Sequence, residues 1–163
     1  MKKMDRDGRR LCDIQAELFE RSVKELDMSS EVFFRRYMNS KIVCELDNLS
    51  FLDDSKTIHD IFNELDSQYG KSSYGSRKMN RNEMYWAGYL YRWFTYTYGL
   101  TSKQAYKILP FKDVISVFEP YHTLDISQAI ERILESKDVS FNEEDMIKKG
   151  ANLLKIIRNK KVA

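Results

Sequence analysis

The chain has 163 residues, 42% hydrophobic and 32% charged, with two prolines, six glycines and two cysteines; this excludes collagen-like, disulfide-framework and wholly disordered classes and fits one compact domain over residues 1–163. No stretch approaches the roughly 18 uninterrupted apolar residues of a membrane span, and Met1-Lys2-Lys3-Met4-Asp5-Arg6-Asp7 leads into a charged helix instead of a signal-peptide apolar stretch, so a cytoplasmic protein that engages no membrane is expected. The net charge of +2 conceals an asymmetry: residues 1–10 carry five Lys/Arg against two Asp, residues 148–163 carry six Lys/Arg and no acid, and residues 11–147 hold 16 basic and 23 acidic side chains, which argues against a surface that coats DNA non-specifically.

No run alternates strictly between apolar and polar residues, whereas helix starts recur. The expected fold is all-α, a single irregular bundle of about eight helices around a central aromatic helix over residues 81–98. Leu11, Ile14, Leu18, Phe19, Val23 and Leu26 recur at three- and four-residue steps and place one apolar stripe on a first helix over residues 8–27. Cys12 and Cys44, with no CxxC and no His cluster beside them, read as free buried thiols. Ser29 or Ser30 caps the next helix, and Asn39-Ser40 restart a shorter one through Ile42, Val43, Leu46 and Leu49. Thr57 with Asp60 opens a helix that buries Ile58, Ile61, Phe62 and Leu65 and ends at Gly70.

The basic loop 71–81 follows, with Lys71, Arg77, Lys78 and Arg81 and no acid in a Gly/Ser-rich setting, and reads as a solvated, mobile connection. Asn80 and Glu83 have capping-box spacing at the start of the aromatic helix, which Gly99 ends; Thr101 and Gln104 repeat the box, and Pro110 closes that helix. A short helix over 111–118 precedes Pro120, and Asp125 with Gln128 starts another. Ser140 with Glu143 starts a C-terminal helix over 141–159, whose Met146, Ala151, Leu153, Leu154 and Ile157 must bury a face in cis or in a partner.

Residues 84–98 contain five Tyr, two Trp and one Phe. At roughly 100° per residue, Trp86, Ala87, Leu90, Trp93, Phe94 and Thr97 share the core face, Gly88, Arg92 and Thr95 form the one narrow polar sector, and Tyr85, Tyr89 and Tyr96 with Arg92 make a flank. Two readings of that flank stand side by side: core aromatics whose hydroxyls reach a buried partner or the surface, and a partner-binding stripe, since Tyr and Arg are enriched at interface hot spots. With the loop residues Arg77 and Lys78, the stripe Tyr85, Tyr89, Arg92 and Tyr96 is the candidate protein-binding set.

Thr95 to Leu109 also has the parts of a helix-turn-helix: a helix end, Gly99, an apolar residue and a capped short helix. In that alternative, a DNA-binding regulator, Ser102, Lys103, Tyr106 and Lys107 would face the groove. Catalytic chemistry has no comparable signature. His59 lies beside an acid at a helix start, and His122 reads as a turn residue donating to a backbone carbonyl; there is no phosphate-cradling glycine loop, nucleophile elbow or zinc spacing. No metal, no cofactor and no enzymatic activity are expected.

The segments Glu83 to Trp93 (EMYWAGYLYRW), Ser102 to Pro110 (SKQAYKILP) and Pro120 to Ile133 (PYHTLDISQAIERI) resemble a family of small helical bacterial proteins that look antitoxin-like and are encoded beside small proteins similar to ADP-ribosyltransferase toxins. The likeness covers about residues 30–137. The family's motifs carry no known chemistry, so no functional residue is transferred. What the resemblance implies is a toxin neutralised by direct binding, its nucleotide-binding cleft occluded or its inactive state held, with Arg77, Lys78 or Arg92 meeting acidic or phosphate-binding parts. A subunit of a larger assembly would differ from this only in the partner.

Overall fold

The structure, a computed structural model, describes residues 1–141; the helix expected over 141–159 lies, beyond Phe141, outside the described residues. Among the described residues the fold is all-α, with nine α-helices, one 3-10 turn at Ser50–Asp53 and no strand. The helices are α1 (Arg6–Glu25), α2 (Ser30–Met38), α3 (Val43–Asp47), α4 (Ile58–Tyr69), α5 (Arg81–Tyr98), α6 (Ser102–Ile108), α7 (Phe111–Ser116), α8 (Phe118–Tyr121) and α9 (Ile126–Ser136). The chain packs as two compact units, Met1–Ala129 and a second from Ile130 onward. In the second, α9 ends in a hydrogen-bonded turn in which the Val139 amide donates to the Leu134 carbonyl at 2.9 Å and Asp138 takes a left-handed φ of 55°.

The helix starts follow from local chemistry. Asp5 accepts the Gly8 amide at 2.9 Å, Ser29 accepts that of Val32 at 3.3 Å, and Asn80 accepts that of Glu83 at 2.7 Å. The reciprocal boxes Thr57/Asp60 and Thr101/Gln104 are both complete. Gly99, in the left-handed region at φ 66°, ends α5 as its position implied. Pro120 does not end a helix; it lies inside the four-residue α8, whose first-turn amides need no intrahelical acceptor.

The first unit is organised on the pairing of α1 with α5. The two backbones approach at Gly88, where a Cβ would stand 2.7 Å from the Gln15 carbonyl oxygen and 3.0 Å from Ala16 Cα. The side expected to be the polar sector of α5 is therefore its packing side: Gly88, Arg92 and Thr95 are all buried. Of the expected core face, Trp93 is only half-buried, while Trp86, Ala87, Leu90 and Phe94 lie inside as expected. Beside this pair an aromatic cluster joins α1 and α2. Phe19 meets Phe33 and Tyr37 edge-on at 5.3 and 5.4 Å, and Phe34 lies 4.8 Å from both Tyr91 and Phe111. Such pairs add about 0.5–1.5 kcal/mol each to area burial. Both cysteines are free, as expected, but only Cys12 is buried; Cys44 is exposed on α3. No helix among the described residues is long and apolar enough to cross a membrane.

Candidate functional site

Arg92, expected on a partner-facing stripe, is 1% exposed. Its Nε and one NH₂ group donate to Gln15 Oε1 at 3.0 and 2.8 Å, that same NH₂ also reaches Ser102 Oγ at 2.9 Å, and the other NH₂ meets Asp47 Oδ1 at 2.7 Å. Asp47 in turn accepts the Ser102 hydroxyl at 2.6 Å and the Ser102 amide at 2.9 Å, and Tyr37 donates its hydroxyl to Gln15 Oε1 at 2.7 Å. Five helices, α1, α2, α3, α5 and α6, thus meet in one hydrogen-bonded network. Burial alone would lower the Arg92 pKa, and the Tyr37 and Asp47 side chains outweigh it, so the guanidinium is held charged. Burial likewise pushes Tyr37 up. Among the described residues no buried side-chain nitrogen or oxygen lacks a partner. This is the signature of an internal tie.

The rest of the expected stripe is split by the same packing. Tyr96 is 9% exposed and donates its hydroxyl to Asp5 Oδ1 at 2.6 Å, under the Lys2 ammonium at 4.0 Å from its ring. The Lys2 amide also donates to the Thr97 carbonyl at 2.7 Å, so the basic N-terminal end is fastened to α5 instead of projecting as an arm. Tyr85 (40% exposed) and the half-buried Tyr89 do reach the surface, and the neighbour that lines up with them is Trp93, stacked on Tyr89 at 6.0 Å. In the helix-turn-helix alternative, Lys103 and Lys107 are exposed and Tyr106 is half-buried, but Ser102 is fully buried in the Arg92 network and unavailable to a groove. His122 is a turn residue as expected, its Nδ1 2.9 Å from the carbonyls of Phe118 and Glu119. No group of three or more His, Cys, Asp or Glu among the described residues could hold a metal ion.

The basic loop, expected to be mobile, has no regular secondary structure over residues 70–80, yet its backbone is pinned across the α1–α2 junction. The carbonyls of Tyr74 and Arg77 accept the Ser29 and Ser30 amides at 3.0 and 3.2 Å, satisfying two amides at the α2 start that have no intrahelical acceptor. The Met79 amide returns to Ser30 Oγ at 3.0 Å. Lys78 donates to the Val23 carbonyl at 2.8 Å and to that of Leu26, a cation on the C-terminal end of α1, where the helix dipole favours it. Gly75 makes this approach possible, since at φ 78° a Cβ would also lie 2.6 Å from Ser29 Oγ.

A groove runs beside this loop. One part, a cleft of about 540 Å³, is walled by Ser29, Glu31, Arg77, Met79, Phe111, Lys112, Ile115 and Ser116. Its continuation, about 310 Å³, shares Glu31, Phe111 and Lys112 and adds Phe34, Arg35, Tyr106 and Pro110. Of these wall residues only Arg77 and Tyr106 stand among the candidate binding residues expected from sequence. Arg35 and Lys112 are ordinary surface cations of two separate helices, and no local pattern marks them as neighbours. Tyr74, 73% exposed, carries a signal that could have been read: a large aromatic alone among Gly and Ser.

Compared with known proteins, the chain matches no protein-family model, no curated protein and no solved structure.

Proposed function

We propose that the protein acts in the cytoplasm as a binding module for another protein, antitoxin-like in the sense of the resemblance above, neutralising a cognate toxin similar to an ADP-ribosyltransferase by direct contact and without catalysis of its own. The observation that supports this reading is the loop over residues 70–80. It has no regular structure, its backbone is tied down at Tyr74, Arg77 and Met79, and it holds out Tyr74, 73% exposed, and the Arg77 side chain. Tyrosine and arginine supply interface hot spots, and a loop fixed before binding avoids the cost of ordering it on contact.

The test is a tagged pull-down from the native cell, with and without nuclease, read by mass spectrometry and size-exclusion chromatography and paired with co-expression against a toxin of that class. The expected result is one small nuclease-resistant protein near equal stoichiometry, and restored growth. Recovery of nucleic acid alone, or growth that stays arrested, would refute the reading.

A further inference from the structure

We propose that the groove between α2, the 70–80 loop, α6 and α7 is the docking surface for an acidic segment of the partner protein, anchored by apolar side chains. The inference rests on the protein-binding reading and names its surface. The floor is apolar and firm: Phe111 is 7% exposed and lies 4.8 Å from the buried Phe34, which also touches Tyr106 at 5.6 Å, with Met79 and Ile115 continuing the lining. Around it stand three cations, Arg35, Arg77 and Lys112, against one acid, Glu31, all exposed. None of the four is in an ion pair with another described residue.

That contrasts with cations the fold uses internally. Lys56 is held by Glu45 and Glu64, Arg81 by Glu20, and Lys78 by the end of α1. It also runs against the sign of residues 11–147, where acids outnumber bases 23 to 16. A second cluster of exposed arginines, Arg6, Arg9 and Arg10, lies among Asp5 and Asp13 with no apolar residue in its wall. The groove combines a packed apolar floor with uncompensated positive charge, and the complement of that pair is a segment with leucine-like anchors flanked by carboxylates.

The probe is a fluorescein-labelled amphipathic peptide of leucine and glutamate, about four helical turns long, with a leucine and lysine peptide as control, titrated against the full chain by fluorescence anisotropy. The glutamate peptide is expected to bind at least about tenfold tighter than the lysine peptide, with the preference falling as salt rises. The combined variant Arg35→Glu, Arg77→Glu and Lys112→Glu should reverse the preference. The milder pair Arg77→Gln and Lys112→Gln, which alters only exposed side chains, should weaken it with an unchanged melting curve. Equal binding of the two peptides, or a preference that survives charge reversal, would overturn the proposal. The same charge-reversed variant in the pull-down separates the two readings: if it captures the partner as well as wild type, the groove is wrong and protein binding stands, whereas a wild type that captures no protein removes the broader reading.

Discussion

Replacing Arg92 with methionine keeps most of the side-chain length and removes the guanidinium from the five-helix network. Gln15 Oε1 would lose two of its three donors, Ser102 Oγ would lose its donor from Arg92, and Asp47 would lose its cation while keeping the Ser102 amide and hydroxyl. Removing one member of a buried ion pair costs about 3–5 kcal/mol. The Asp47 side chain is 12% exposed, against 2% for Arg92, so water and two protein donors still serve the carboxylate. This places Arg92→Met near the lower end, about 3 kcal/mol. Asp47→Ala should cost more, about 4–5 kcal/mol, because it strands a buried cation and removes the acceptor of the first α6 amide. The double variant should cost less than the sum by roughly 2 kcal/mol, since either change alone already breaks the pair.

Urea unfolding of the four proteins, compared at constant slope, measures the cycle. An Arg92→Met variant within about 0.5 kcal/mol of wild type, or strictly additive changes, would refute the assignment of this network as the internal tie. At matched folded fraction, partner capture should be unchanged by Arg92→Met, because a residue 1% exposed offers a partner no surface.

Gly88→Ala should destabilise by about 1–3 kcal/mol through overpacking, read as a lower melting temperature, since its Cβ meets backbone of α1 that cannot swing aside. The Asp5 carboxyl is held below its usual range by the Tyr96 hydroxyl first and the Gly8 amide next. Its contribution is therefore present above the ordinary carboxylate titration near pH 4 and is lost as pH falls through the depressed value; Asp5→Asn should flatten the acid limb of the stability profile and converge with wild type at the lowest pH. Burial pushes the Cys12 thiol up to about 12, so a chromogenic disulfide reagent at pH 8 should titrate one thiol per native chain, lost in Cys44→Ser and retained in Cys12→Ser.

Helical class and most helix starts were readable in the chain because their causes are local. Thr57 and Asp60, or Thr101 and Gln104, lie three residues apart, and each pair closes its own hydrogen bonds whatever the rest of the fold does. Apolar spacing likewise marked Leu11, Leu18 and Phe19 as buried, since one stripe of α1 is oily and the other charged. The orientation of α5 was different. A helix aromatic on nearly every side has no single apolar stripe, so the narrow sector containing Gly88 and Arg92 looked like the solvent side. Only the approach of α1 turned it inward, where the missing Cβ and the hydrogen-bond partners of Arg92, 77, 45 and 10 residues away in the chain, made that side the better one to bury. The loop and the groove follow the same logic. Glycine and serine announce a break in helix, but the anchors of the segment are amides of α2 and carbonyls of α1, and the cations around the groove come from α2, the loop and α7. Contacts within a turn are written in neighbouring residues; burial of a charge and the shape of a surface depend on which distant elements arrive there.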